Sequence, residues 1–214
     1  MNNVTIIIPT IFKNDFVLNC IKSIYENVKH PILILLSSGY NTFSKACNEG
    51  FKNTNTEWVL FLNDDIEIKN DFVSLMLETA EKFNAVVVGA KLLYPNGNIQ
   101  HIGVYYNLQK LPFHLELNKP DRKVKDSLVP AVTGACMLVK SEVFREVGGF
   151  DEGYENGFED IDFCNKVREK GYKIALCGRT ELIHYEKQSR GYDKDRFQKN
   201  IGRYIEKWLK SQKS

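Results

Sequence analysis

The chain is 214 residues long, 43% hydrophobic and 26% charged, with a formal net charge of +2. That length suits one large domain with a substantial core, and so balanced a charge gives no whole-molecule attraction to nucleic acid. Five scattered cysteines, Cys20, Cys47, Cys136, Cys164 and Cys177, lack CxxC spacing, which argues against a disulfide framework or a zinc site and for reduced, mainly buried thiols.

The opening MNNVTIIIPT has no basic region followed by a long apolar segment. No later stretch approaches the roughly 18 to 20 apolar residues that cross a bilayer, so a soluble, cytoplasmic chain is expected. Residues 4–8 form a β-branched run stopped by Pro9, a first buried strand with Pro9 and Thr10 at its carboxyl end. Asn14 or Asp15 can cap a helix in which Phe16, Val17, Cys20, Ile21 and Ile24 recur at helical spacing. Residues 31–36 are the next apolar run, ended by Ser37, Ser38 and Gly39, and 44–51 have short helical character. Residues 59–62 are continuously apolar, as in a strand covered on both faces, and pass directly into Asn63, Asp64 and Asp65. Adjacent carboxylates repel unless a cation or a hydrogen-bond network offsets them, and the carboxyl end of a central strand is where ligands bind in open α/β sheets. A divalent metal with phosphate oxygens is the complement of such a pair; the plain alternative is a strand end and a turn. Asn70 or Asp71 then caps a helix with Phe72, Leu75, Met76, Thr79 and Phe83 inward, and 85–89 is another strand. This alternation predicts an α/β fold with a largely parallel sheet.

After Gly89 the rhythm changes. Residues 94–97 read as a turn and 99–105 as a strand, whereas 107–127 are polar and without period, either a loop over a site or an ordinary surface excursion. Residues 132–139 return to an apolar strand in which Gly134 and Ala135 are small enough to let a ligand approach the backbone. A glycine- and aromatic-rich turn leads to a helix starting near Glu159 and ending at Gly171. Glu159 and Asp160 in its first turn are a common helix-start device, and the same placement suits a general base. A last strand is expected at 172–177. His184, beyond it, is either a structural residue or a third metal contact beside Asp64 and Asp65. Arg190 can bring a guanidinium to a phosphate. From Asp193 the chain reads as a helix with Phe197, Ile201, Ile205 and Leu209 on one side, surrounded by Lys194, Arg196, Lys199, Arg203, Lys207, Lys210 and Lys213. With Trp208, that face is either solvated or a peripheral contact with anionic lipid or a lipid-linked acceptor.

Taken in order, Pro9-Thr10, the 45–50 segment KACNEG, the 61–65 segment FLNDD, the 133–136 segment TGAC, the 148–152 segment GGFDE, the 159–163 segment EDIDF, and His184 with the 189–191 segment SRG resemble the family 2 glycosyltransferases. These are GT-A fold enzymes, Rossmann-like, with a mixed, mainly parallel sheet flanked by helices, that make bacterial surface polysaccharides; the rhamnosyltransferases are among them. The resemblance implies a single GT-A domain over 1–214, with a nucleotide-binding half (1–90), an acceptor and catalytic half (91–191) and a basic terminal helix (192–214). It implies a nucleotide-diphospho-sugar donor with Mn²⁺ or Mg²⁺ on its pyrophosphate, and a saccharide or lipid-linked acceptor, with action in the cytoplasm or at the inner face of the membrane. Asp65, Asp64 and His184 are then metal contacts. Pro9, Thr10, Ser37, Lys45, Asn63, Asp64, Gly134, Ala135 and Arg190 are donor contacts, Asp160 is the base of an inverting displacement, and Glu159 is its acceptor-orienting partner.

Two departures stand out. Relatives usually carry an acid just after the second strand that reads the nucleobase, whereas Leu35-Leu36 here runs into Ser37-Ser38-Gly39, and the segment from there to Lys45 is shortened, as though a strand were missing. That shortening is the ground for a different reading, a catalytically silent nucleotide-sugar-binding module serving a partner enzyme. A nucleotidyltransferase is disfavoured because residues 9–13, PTIFK, lack the glycine-rich basic loop of that class.

Overall fold

In a β-strand successive side chains point to opposite faces, and the apolar runs of this chain use both. The computed structural model describes residues 4–12, 15–29, 32–186 and 193–210. In chain order the elements are β1 Val4–Pro9, α1 Phe16–Asn27, β2 Ile32–Ser37, α2 Phe43–Phe51, β3 Trp58–Leu62, β4 Ile66–Ile68, α3 Phe72–Phe83, β5 Val87–Leu93, β6 Ile99–His101, β7 Val104–Tyr106, β8 Pro112–His114, β9 Ser127–Leu128, β10 Cys136–Lys140, α4 Ser141–Glu146, α5 Glu159–Glu169, β11 Ile174–His184, α6 Lys194–Tyr204 and a π-helical turn, Ile205–Lys210. The main sheet runs β2-β1-β3-β10-β5-β11-β4, with β6 added to β5 and β9 to β11. β1 is parallel to β2 and β3, β10 is antiparallel to β3 and β5, and β11 is parallel to β5. β1, β2, β3, β5 and β11 therefore share one direction, the mixed, mainly parallel α/β sheet that the sequence implied.

All five residues of β3 are buried. Leu60 and Leu62 join Ile6, Ile8, Val17, Cys20, Phe72 and Met76 on the face covered by α1 and α3. Val59 and Phe61 join Ile7, Cys47, Phe144 and Phe163 on the face covered by α2, α4 and α5. On that second face Phe61, Phe144, Phe150 and Phe163 form a ring cluster with centroids 4.9 to 5.3 Å apart. Each such pair adds about 1 kcal/mol beyond its area burial, so Phe150 anchors the turn that delivers the chain to α5. All five cysteines are buried and free.

Several expected boundaries move, each for a reason of pairing. Instead of ending at Gly89, the strand of 85–89 begins at Val87, because Ala85 N–H closes the end of α3 on Ala80 O, and it runs on to Leu93 by pairing with β11. The strand of 99–105 breaks at Ile102 and Gly103 into β6 and β7. The segment 107–127 is not structureless: β8 pairs with β7 and β9 with β11, Ile99 N–H donates to Lys119 O at 2.7 Å, and Lys91 Nζ meets Asp121 at 3.1 Å. This segment crosses β11 at Gly178, where a Cβ would stand 2.4 Å from Val124 O; only glycine admits that approach. The strand expected at 132–139 starts at Cys136, since Ala135 O already accepts Asn63 N–H and Thr133 and Gly134 turn toward α5. The strand expected at 172–177 is instead β11, which passes an irregularity between Cys177 and Leu182 and continues to His184 against β4.

The terminal helix is also corrected. Trp208 is buried and its Nε1–H donates to Asp162 Oδ1 at 2.8 Å, while Lys207 and Arg203 pair with Asp162 and Asp151. These side chains, expected on a solvated or lipid-facing stripe, tie the helix to α5. Among the described residues no helix is long and apolar enough to cross a membrane.

Candidate active site

A cleft of about 430 Å³ opens where β1 and β3 end and α5 begins. After the buried Leu62 the chain turns through half-buried Asn63 and Asp64 and buried Asp65 into β4. β4 runs antiparallel to β11 with Ile66 opposite His184, and this register sets the imidazole beside Asp65. His184 Nε2 lies 3.0 Å from Asp65 Oδ1 and 3.2 Å from Asn63 Nδ2, and its Nδ1 is 2.6 Å from Gln100 Oε1. The Gln100 amide nitrogen faces Glu186 Oε2 at 3.3 Å and His184 O at 3.5 Å, which fixes its oxygen toward the ring. With a single proton on the ring, that proton sits on Nδ1 and the Nε2 lone pair accepts from Asn63 Nδ2, a bond that a cation at Nε2 would displace.

The buried Asp65 Oδ1 makes no hydrogen bond. An imidazole nitrogen and an unsatisfied carboxylate oxygen at such a distance suit a shared cation; the carboxylate suits Mn²⁺ or Mg²⁺, and the imidazole favours Mn²⁺ over the oxygen-seeking Mg²⁺. Asp65 and His184 are the residues that would hold it. No group of three His, Cys, Asp or Glu side chains in ligand geometry occurs among the described residues, so a cation here would draw further ligands from phosphate oxygens and water. Asp64 is half buried; burial pushes its carboxyl pKa up, the Thr10 hydroxyl bonded to it acts in the opposite direction, and the charge of Asp65 raises it further.

Across the cleft the backbone bends through Asn156, Gly157 and Phe158 at φ of 53°, 146° and 73°. A left-handed phenylalanine costs about 1 to 3 kcal/mol, and it is held by its ring packing on Phe197 and Tyr204 with centroids 5.9 and 5.5 Å away. The bend points the first turn of α5 into the cleft. Asp160 Oδ2 accepts Gly134 N–H at 2.9 Å and Oδ1 accepts Ile161 N–H at 2.8 Å. Glu159 is only 6% exposed and accepts Gly157 N–H at 2.5 Å. Burial, and then the charge of Asp160, raise its pKa to about 7.

Pro9, Thr10, Asn63, Asp64, Asp65 and His184 thus line the same cleft as Gly134, Ala135, Glu159 and Asp160. Gly134 serves differently from the expectation. Its N–H is taken by Asp160, and a Cβ there would press on Phe43 at 3.1 Å. Ser37 and Lys45 stand outside the lining: the Ser37 hydroxyl is buried and donates to Ala46 O at 2.7 Å, and Lys45 is exposed on α2. Lys45 was assigned by its motif and Ser37 by its place at the end of the second strand, and neither says which face a side chain takes. Arg190 lies outside the described residues. Tyr40, Thr42 and Phe43, not singled out from the sequence, also line the cleft, as does Arg196, which was expected on the solvated or lipid-facing stripe of the terminal helix. Thr42 caps α2 by accepting Lys45 N–H, a signal readable as a Thr before a helical run. Arg196 follows the Asp193 cap by three positions.

A family model described as glycosyl transferase family 2 matches residues 25–148, more than half of the chain, and one described as N-terminal domain of galactosyltransferase matches 112–206. Among individual proteins, the chain is 35% identical over 198 residues to an uncharacterized protein, y4gI, of Sinorhizobium fredii, covering 86% of this chain and 22% of that one. It is 29% identical to the O-antigen biosynthesis protein RfbC of Myxococcus xanthus, over 68% of this chain and 12% of the relative. It is 28% identical to the rhamnosyltransferase WbbL of Escherichia coli, over 64% and 55%. The chain thus spans between about one eighth and just over half of the length of these relatives. In three dimensions it is similar to GalNAc-T7, solved with UDP, GalNAc and Mn²⁺, at a TM-score of 0.73 and 12% identity over 97% of this chain and 48% of that one. That likeness establishes the GT-A fold, and the match across residues 25–148 establishes that the chain belongs to glycosyl transferase family 2.

Proposed function

We propose that the chain carries out an inverting, metal-dependent transfer of a sugar from a nucleotide-diphosphate donor to a hydroxyl of a saccharide or lipid-linked saccharide, in polysaccharide or glycoconjugate synthesis. The observation that supports this most is the convergence of two acid groups, Asp64 and Asp65 with His184, and Glu159 with Asp160, on one cleft although about a hundred residues separate them. A bound divalent cation, Mn²⁺ or Mg²⁺, supplies charge stabilisation to the departing diphosphate. Asp65 and His184 would hold that cation, and through it the diphosphate end, and Thr10 positions Asp64 for the donor.

Asp160 takes the proton of the incoming hydroxyl. Its two oxygens are fixed by backbone N–H groups on a rigid helix start, and each retains a second lone pair. Glu159, with a pKa raised to about 7, orients the acceptor and exchanges protons close to neutrality. Attack from the Asp160 side, opposite the diphosphate, inverts the anomeric centre in one displacement. In this reading residues 1–90 serve the nucleotide and 91–191 the acceptor, with action in the cytoplasm or at the inner membrane face. A membrane contact through the terminal helix would use Lys194 and Lys210 rather than Trp208, Arg203 or Lys207.

Asp160→Asn tests the proposal: turnover falls by about 10³-fold, while the thermal stabilisation given by nucleotide-sugar with Mn²⁺ is retained. Unchanged turnover in that variant removes Asp160 from the mechanism. Absence of any sugar transfer by the unmodified chain, with donor binding retained, favours the silent binding module.

A further inference from the structure

Two histidines apart from the Asp65 and His184 pair stand edge to edge. His101 Nδ1 and His114 Nδ1 are 3.2 Å apart, with the rings at 74°. His101 is fully buried at the end of β6, and its Nε2 accepts the N–H of Thr133 at 3.4 Å. A ring nitrogen that accepts carries no proton, so neutral His101 bears its hydrogen on Nδ1. Burial, and then the neighbouring His114 and His184, hold the His101 pKa far below its usual range, in keeping with a neutral ring.

Among the described residues that Nδ1–H has one acceptor in reach, His114 Nδ1. His114 is thereby left with its own hydrogen on Nε2. The backbone amide of Thr133 thus dictates, through one buried ring, the tautomer of a second ring that is exposed. Among the described residues no group takes the His114 Nε2–H. His114 lies outside the residues that line the cleft and connects to them through His101 and Thr133. Thr133 lines the cleft, and its neighbour Gly134 holds Asp160. β7, the partner strand of β8, is tied to the segment that leads into the cleft by Val104 N–H donating at 2.8 Å to Ala131 O, two residues before Thr133. Although His114 is exposed as a residue, desolvation of its ring lowers its pKa, and the charges of Asp160 and Glu186 act against that shift, which sets both carboxylates within electrostatic reach of the ring.

Resting on the glycosyl-transfer reading, we propose that His114 binds the acceptor sugar by donating Nε2–H to one of its hydroxyl or carbonyl oxygens, and that His101 is a positioning residue that fixes this tautomer. A neutral N–H donor recognises an uncharged saccharide oxygen, and the buried relay prevents His114 from presenting a lone pair there instead. The inference assigns acceptor recognition to the β7 and β8 hairpin.

Two measurements test it. In ¹⁵N-labelled unmodified protein at pH 8, the His114 ring is expected to show a protonated Nε2 and an unprotonated Nδ1, and octyl β-N-acetylglucosaminide is expected to shift the His114 resonances. The reverse tautomer overturns the proposal without any assay of turnover. In steady-state kinetics with that acceptor and a panel of UDP-, GDP- and dTDP-sugars, His114→Ala is expected to raise acceptor KM about tenfold, the loss of one hydrogen bond, with donor KM within about twofold. His101→Gln is expected to raise acceptor KM in the same direction. Transfer by the unmodified protein with acceptor KM unchanged in His114→Ala overturns the inference alone. Absence of transfer from every donor by the unmodified protein overturns the reading beneath it and the inference with it.

Discussion

Replacing Glu159 with Gln removes a carboxyl that the fold holds in an unfavourable charged state above neutrality. Its pKa rises from 4.5 to about 7, through burial first and the charge of Asp160 second. The unfolded chain ionises this group near the ordinary value, so between pH 4.5 and 7 the folded state binds more protons than the unfolded one. The stability attached to the protonated group is complete below pH 4.5 and is lost as pH rises through 7. A shift of this size corresponds to about 3 kcal/mol at pH 8 and above. Gln keeps an oxygen for the Gly157 N–H but cannot ionise, so Glu159→Gln should gain on the unmodified protein by about 2 to 3 kcal/mol between pH 5 and pH 8.5. Urea denaturation at a series of pH values measures the difference. A difference that stays flat across that range, whatever its absolute size, would show that Glu159 ionises without penalty and refute the reasoning.

Gln100→Leu leaves both proposed metal contacts in place but removes the carbonyl that fixes the His184 tautomer, and Mn²⁺ affinity measured by electron paramagnetic resonance should fall by about tenfold; equal affinity would separate His184 from metal binding. Lys207→Met leaves Asp162, whose side chain is 0% exposed, without its 2.7 Å partner, and should cost about 3 kcal/mol in denaturant titration. A cost under about 0.5 kcal/mol, the level of a surface pair, would mean that the terminal helix is not latched to α5. Asp65→Asn should abolish the extra thermal stabilisation that Mn²⁺ adds to a nucleoside diphosphate, and retention of that increment would place the cation elsewhere.

Where the signal was local, the sequence carried it. β3 was legible as an unbroken apolar run meeting two acids, and α5 from its helical spacing and acidic first turn. What was hidden depended on partners far along the chain. β11 runs past Cys177 because β5 and β4 continue to pair with it, and β8 and β9 are too short and polar to show a period. Trp208 read as part of a solvated or lipid-facing stripe because its partner, Asp162, lies 46 positions away. His184 was legible as a residue type, but its ligand-ready lone pair is set by Gln100, which carried no signal. Lys45 lies in a recognisable motif and Ser37 ends a recognisable strand, yet the packing of α2 against β2 turns the first outward and the second inward.

The central claim is that Asp65 and His184 seat a cation, and with it a sugar diphosphate, across the cleft from Asp160. Crystals soaked with Mn²⁺ and a nucleoside diphosphate, measured at the manganese absorption edge, address it directly. An anomalous peak bonded to Asp65 and His184, with the diphosphate lying between it and Asp160, is the predicted result. A peak elsewhere, or a diphosphate bound outside this cleft, would contradict the account.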